Sequence, residues 1–401
     1  MAGKDQVASF NTSEISPPRI INLDNGDPTM FEAYWRKMDE KCSLVISGIQ
    51  FLSYFSDTKD VCWYLEPKLE DEIKRLHRVV GNVSVEDYYV VVGTGSTQLL
   101  QAALYALCPS DGSNPVNVVS AVPYYSCYPE LTGFLRSGLY EWKGDARIYD
   151  EGGPYIEFVT SPNNPDGSIR EAIVKNGQGK LVHDLAYYWP QYTPITSCVG
   201  HEIMLFTLSK CTGHAGTRIG WALVKDKDVA KKMTEFNTIS TIGVSKESQI
   251  RAAKILGLVS DSCLNPGLDN FFKHGKALMA ERWEKLRKVV GQSGLFSLPQ
   301  FPKGHCLFTG EFSTKAHPAF AWMKCNKEDI VDCEKFLRGF QILSRTGRRF
   351  GCNAKYVRIS LVGKEEEFEL FLEKLLAIQE EIFCTVANGW PWFTKEVQLV
   401  P

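Results

Sequence analysis

No run of apolar residues in the 401-residue chain approaches the length of a membrane span, and the first stretch, MAGKDQVASFNTSEISPP, is polar, with nothing suited to a signal-peptide core. Both absences predict a cytoplasmic protein without a membrane partner. Charge of one sign is not in excess either. With 45 Lys and Arg against 47 Asp and Glu, no global field draws the chain to nucleic acid or an anionic surface. The 12 cysteines form no CxxC pair and no Cys/His spacing suited to a metal, which favours reduced, mostly buried thiols over a disulfide or zinc site. Internal repeats and low-complexity blocks are also missing. At 44% hydrophobic, the chain is long enough for one large or two moderate domains with a buried core, and a small molecule is the expected ligand.

Five short runs rich in β-branched or aromatic residues read as buried strands: DYYVVVG from Asp87, VNVVSAV from Val116, YIEFVTS from Tyr155, KLVHDLA from Lys180 and EIMLFTLS from Glu202. STQLLQAALYAL follows the first with helical spacing of its apolar residues, and PNNPDG closes the third with a dense turn signal. Strands alternating with helices predict an α/β fold with a mostly parallel sheet covered on both faces, and such sheets hold ligands at the carboxyl ends of their strands.

The segments at those ends are GTGSTQ (93–98), PYYSCY (123–128), SPNNPDG (161–167), DLAYYW (184–189) and TLSK (207–210). Each alone has a plain structural explanation as a turn, a cap or a solvated charge. Together their chemistry converges. GTGST opening a helix offers backbone N–H groups, hydroxyls and a positive dipole end to a phosphate. Arg218 supplies a bidentate cation and Ser209 a further hydroxyl. An aromatic in PYY can stack on a flat ring, and Asn164 and Tyr187 can hydrogen-bond a ring hydroxyl. Asp184 can keep a ring nitrogen protonated, a contact worth about 4 kcal/mol at ~4 Å for an effective dielectric of roughly 20. Lys210 can close a Schiff base with an aldehyde. Phosphate, aromatic ring, pyridine nitrogen, phenolic oxygen and aldehyde together describe pyridoxal 5′-phosphate.

The order GTGSTQ, PYY, SPNNPDG, HDLAYYW and SKCTGHAGTRIGW resembles the fold-type I aminotransferases. With NLDNGDPTMFEAYW and LSYFSD near the N-terminus, the wording is similar to the plant tryptophan aminotransferases of auxin biosynthesis, which share a branch with the alliinases. The likeness runs from about Ile21 to about Leu375. It implies a large cofactor domain with a mostly parallel central sheet and a smaller α/β domain. Lys210 becomes the Schiff-base lysine and the proton shuttle between Cα and the cofactor's C4′, Asp184 the partner of the pyridinium, Asn164 and Tyr187 the partners of the ring oxygen, and Tyr125 the stacking ring. Ser96, Thr97, Ser209 and Arg218 hold the phosphate, with Thr207 beside them. Tyr54 reaches the phosphate of the other subunit, which implies a homodimer with shared active sites.

Two arginines compete for the substrate carboxylate. Arg358, in the alternating pattern YVRISL, matches the family's clamp and is favoured over Arg345 in the turn-rich SRTGRR. Gly26 in DNGDP matches the glycine whose backbone approaches the same carboxylate, or is a simple turn glycine. His183 is expected to be a satisfied core group, His214 to pack in the lysine loop, and Cys211 to have no paired cysteine. Trp63, Tyr188, Trp189 and Tyr192 read as mainly core, part of them a wall for an indole ring.

Residues 52–270 are expected to form the large domain, and 18–51 with 271–385 the small one, bridged by the helix FFKHGKALMAERWEKLRKVV. Residues 1–17 and 386–401 are expected as flexible or peripheral tails. The resemblance implies transfer of an amino group from an aromatic L-amino acid, L-tryptophan foremost, to a 2-oxo acid, pyruvate or 2-oxoglutarate, giving indole-3-pyruvate. The competing reading is an alliinase-like C–S lyase acting on S-alkyl-cysteine sulfoxides. It needs the same cofactor residues, but the polar leader and the absence of a cysteine-dense N-terminal module speak against it.

Overall fold

The computed structural model describes residues 19–109, 114–175 and 177–387, with side chains up to residue 381. The expected tails lie outside these residues except for 386 and 387, the last positions of a long helix.

A seven-stranded sheet is built from β1 (Tyr89–Gly93), β2 (Val116–Ser120), β3 (Tyr140–Asp145), β4 (Tyr155–Thr160), β5 (Gly179–Asp184), β6 (Ile203–Thr207) and β7 (Gly220–Val224) in the order β1-β7-β6-β5-β4-β2-β3. All pairings are parallel except those of β7, which runs antiparallel to both β1 and β6. The five runs expected as strands are β1, β2, β4, β5 and β6. β4, β6 and β7 are buried at every position, which is why they are mostly apolar rather than alternating; the exception inside β4, Glu157, accepts from Ile173 N–H at 2.7 Å and Val174 N–H at 3.1 Å. β3 and β7 were not anticipated. YEWKGD is a partly exposed edge strand, and GWALV lies directly behind the glycine-rich lysine loop.

Helices α1 (Pro67–Val80), α2 (Ser96–Leu107), α3 (Cys127–Phe134), α4 (Lys227–Thr241) and α5 (Lys246–Leu264) belong to this part of the chain. α1 begins with proline at its first position and stops at Gly81, whose φ of 70° a glycine adopts without strain. From α1, His77 stands in the core with both ring nitrogens used: Trp221 Nε1–H donates to Nε2 at 3.0 Å, so the Nδ1–H donates to Asn82 Oδ1 at 2.8 Å. Burial pushes His77 down to about 4, so the ring is neutral.

Helix α6 (Phe271–Val290) covers the run FFKHGKALMAERWEKLRKVV, with Asn270 capping Lys273 N–H. Beyond it lies a four-stranded antiparallel sheet of β8 (Phe296–Ser297), β9 (Phe320–Cys325), β10 (Arg345–Thr346) and β11 (Tyr356–Ser360), in the order β10-β11-β9-β8. Helix α7 (Glu365–Ala387) follows. The N-terminal segment divides its contacts. Ile21–Asn22 pair in parallel with Ile342–Leu343, whereas Tyr34 donates to Asp269 O at 2.8 Å and Trp35 to Thr212 O at 2.8 Å, against the larger sheet's side. Residues 23–28 therefore cross the gap between the two sheets.

Candidate active site

The carboxyl ends of β4, β5 and β6 deliver Asn164, Asp184 and Lys210 to one region, and β11 brings Arg358 to it from the second sheet. Lys210 sits in the single helical turn Leu208–Cys211. That turn is capped by Thr207, whose Oγ1 accepts from Ser209 N–H at 3.3 Å and donates to Ser209 Oγ at 3.2 Å. The Lys210 ammonium donates to the carbonyl of Gly26 and lies 6.0 Å from the centre of the Tyr187 ring. Burial, with Arg358 and Arg218 adding to it, pushes this amine down to about 8, toward the neutral form a nucleophile requires.

Asp184 is buried. Its Oδ1 accepts from Ala186 N–H at 3.2 Å and its Oδ2 from the Tyr128 hydroxyl at 3.1 Å. Tyr128 OH is in turn 2.5 Å from Thr160 Oγ1. The carboxylate forms no ion pair among the described residues, and burial pushes it up to about 6 against those two bonds. A buried carboxylate two donors short of saturation and without a cation is what a protonated pyridine nitrogen would complete. Tyr125 stands edge-on to Tyr128 at 5.4 Å, and Tyr187 stands edge-on to Phe320 at 5.5 Å. Burial raises both hydroxyls, which keeps them as donors.

Arg358 is buried and forked. Nη1 donates to Asn164 Oδ1 at 3.1 Å, Nη2 donates to the carbonyl of Asp24, and Nε has no partner among the described residues. Its guanidinium lies 4.1 Å from the centre of the Phe320 ring. Arg345 is otherwise engaged. Nε and Nη2 grip Asp24 at 2.6 and 3.0 Å, and Nη1 donates to Ser126 Oγ at 3.1 Å. Of the two, Arg345 is paired with a carboxylate, whereas Arg358 forms no ion pair among the described residues. Gly26 is more than a turn residue: a Cβ there would lie 2.7 Å from the Phe320 ring and 3.4 Å from Lys210 Nζ.

Where β1 passes into α2, Gly95 has φ of 80°, and a Cβ on it would sit 2.6 Å from Arg218 Nη2. Arg218 is itself in the left-handed region, with Nη1 held on Ala215 O at 2.8 Å. Gly220, opening β7, has no room for a side chain because Ser96 N is 2.6 Å from the position its Cβ would take. The guanidinium is thus laid over the start of α2 beside Ser96 and the exposed Thr97, a cradle of N–H groups, hydroxyls and one cation shaped for a phosphate. Ser209 and Thr207 are buried, while Tyr54 is 67% exposed in a stretch with the exposed Leu52 and Phe55. Among the described residues, no hydrogen bond or ring contact joins Tyr54 to Lys210.

The phosphate cradle, the unpaired carboxylate and the depressed amine fit pyridoxal 5′-phosphate. Sequence reasoning gave no role to Asp24, Tyr128 or Phe320, although Asp24 and Tyr128 lie in the segments DNGDP and PYYSCY already singled out. His183 differs from expectation. It stacks on His201 at 3.5 Å, but its Nδ1 has no partner among the described residues, so the buried ring is not fully satisfied. His214 packs edge-on to Trp35 at 4.5 Å, and Cys211 is buried with its thiol pushed up by that burial. Tyr188, Trp189 and Tyr192 are core, and Trp63 is partly so.

The family model described as allinase matches residues 21–379. The chain belongs to the allinase family. Within it, the chain is 56% identical over 371 residues to tryptophan aminotransferase-related protein 2 of Arabidopsis thaliana, covering 92% of this chain and 84% of that one. It is 55% identical over 386 residues to tryptophan aminotransferase-related protein 1 of Oryza sativa subsp. japonica, covering 94% and 87%. An alliin lyase of Allium cepa var. aggregatum is more distant, 35% identical over 90% of this chain and 81% of the lyase. Among solved structures, an aminotransferase from Staphylococcus aureus superposes with a TM-score of 0.65 at 19% identity, over 93% of this chain and 97% of that one. The fold is that of the fold-type I aminotransferases. Among the described residues, no helix is long and apolar enough to cross a membrane.

Proposed function

We propose that this allinase-family chain is a cytoplasmic, pyridoxal 5′-phosphate-dependent aminotransferase that takes the amino group of an aromatic L-amino acid, L-tryptophan foremost, and passes it to pyruvate or 2-oxoglutarate, as in auxin biosynthesis. The observation that carries the reading is the meeting, across two sheets, of the buried Lys210 amine with Arg358, a buried guanidinium that has no carboxylate partner among the described residues. Bound here, pyridoxal 5′-phosphate supplies an aldehyde for amine exchange and a pyridinium ring that accepts electrons from the substrate's Cα.

Arg218, Ser96, Thr97 and Ser209, with Thr207 behind them, would hold its phosphate. Asn164 and Tyr187 would hold the ring oxygen, and Tyr125 would cover the ring face. Asp184 would hold the proton on the ring nitrogen, its own carboxylate gaining the counter-charge it lacks. Arg358 and the Gly26 backbone would fix the substrate carboxylate, and Lys210 would carry the proton between Cα and C4′. Phe320, against both Arg358 and Tyr187, sets the distance between the carboxylate end and the ring end of the site. Tyr54, exposed on its own chain, serves the phosphate site of a second copy, so the active species is a homodimer. Two tryptophan aminotransferase-related relatives above 50% identity support this reading over lyase chemistry, for which the alliin lyase at 35% is the support.

Purified protein given L-tryptophan and pyruvate should form indole-3-pyruvate and alanine, and Lys210→Ala should abolish this. Rapid release of pyruvate from an S-alkyl-cysteine sulfoxide without any 2-oxo acid, together with no indole-3-pyruvate, would replace the aminotransferase with the lyase.

A further inference from the structure

A cavity of about 750 Å³ opens between the two sheets, within the usual size of small-molecule sites. None of the residues assigned above to cofactor or substrate lines it. One wall is Pro123 and the loop from Asp166 to Ile169, beyond the ends of β2 and β4. The other is formed by Phe301, by Trp322 and Lys324 on β9, and by Tyr356 on β11.

The lining is mostly apolar and flat. Trp322 and Tyr356 lie in nearly parallel planes, 5.3 Å apart and 14° inclined, with Phe301 and several prolines around them. Its free charge is positive. Lys303 and Lys324 line the cavity and form no ion pair among the described residues, and Lys324 Nζ stands 5.8 Å from the centre of the Tyr356 ring. The one acid in the lining, Asp166, is spent: Oδ2 pairs with Arg170 at 2.8 Å, while Oδ1 accepts from Asn163 Nδ2 at 2.8 Å and from Ser168 N at 3.1 Å. An apolar cleft bordered by two ammonium groups without acidic partners, Lys303 and Lys324, the latter over the face of Tyr356, selects an apolar ring bearing a negative charge.

The geometry points to a second ligand site in this cleft, one that binds a small planar aromatic anion separately from the reaction site. Trp322 is directly opposite Arg358 in the β9–β11 ladder, so an occupant leans on the strand pair that carries the carboxylate clamp. Binding there does not depend on the reaction proposed above.

The test is calorimetric titration of the full chain, loaded with pyridoxal 5′-phosphate, with 2-naphthoate, run both without and with saturating pyruvate. One probe should bind per chain. Lys324→Glu and Ile169→Asp, the latter at a loop residue 59% exposed, should each weaken it by about tenfold or more, and the uncharged 2-naphthamide should bind more weakly by a similar factor. Three outcomes would overturn the proposal: no binding at millimolar probe, binding indifferent to both substitutions, or binding abolished by pyruvate, which would place the probe at Arg358 instead.

Discussion

Replacing Asp184 by asparagine should make the cofactor-free protein more stable while disabling it. The carboxyl is buried, accepts two hydrogen bonds and has no cation, and burial pushes it from an ordinary 3.8 up to about 6. A group whose folded value is raised contributes its stability below the unfolded value and loses it as pH climbs through the folded one. The difference, roughly two units, corresponds to about 3 kcal/mol held against the folded state above pH 7 and to about half of that at pH 5. Asparagine is the same size, can still accept from Ala186 N–H, and never ionises. Urea unfolding of cofactor-stripped wild type and Asp184→Asn should therefore show the variant ahead at pH 8 by up to about 3 kcal/mol, with the lead shrinking at pH 5. Turnover should fall by roughly two to three orders of magnitude, since the ring nitrogen loses a counter-charge worth about 4 kcal/mol. A stripped wild type more stable than the variant at pH 8, or a gap that does not change with pH, would refute the assignment of an uncompensated carboxylate.

Arg358→Lys keeps the charge but not the fork that spans Asn164 and Asp24, so kcat/KM should drop by about 2 to 5 kcal/mol for every amino donor with cofactor absorbance intact; unchanged kinetics there and a loss in Arg345→Lys would transfer the role. Gly26→Ala places a methyl against the Phe320 ring and Lys210, and should cost at least about 1 to 3 kcal/mol in kcat/KM with little change in overall stability, read from steady-state rates beside a melting curve. Tyr54→Phe removes a hydroxyl that touches nothing essential in its own chain. Cofactor should dissociate faster from the dimer without a shift in melting temperature, and a wild type that is fully active as a monomer in light scattering would exclude the shared site.

Much of this was legible because parallel strands buried on both faces write themselves as apolar runs, and because the chemistry collects at their ends. β3 escaped because an edge strand such as YEWKGD keeps polar residues on its open side, and β7 because GWALV followed so closely on a loop rich in functional signals. The sequence favoured Arg358 over Arg345 from strand pattern and resemblance, but the physical difference between them lay out of sight: Asp24, more than three hundred positions away, pairs with Arg345, while Arg358 forms no ion pair among the described residues. Phe320 gave no signal: one aromatic in an apolar strand looks like any core residue until the fold sets it against Gly26, Tyr187 and Arg358. The orphaned Nδ1 of His183 was equally invisible, since a ring's partners come from other strands.

The antiparallel course of β7 has a consequence for how the protein lets go of a ligand. Because β6 and β7 are neighbours joined by the lysine loop, the amine of Lys210 and the guanidinium of Arg218 hang from one ribbon, Ile203–Val224. Any fluctuation that opens this ribbon releases both together, and any molecule gripped by both must fasten it shut. Amide hydrogen exchange along these two strands should therefore slow as one block when the site is filled, while α4 and α7 keep their own pace.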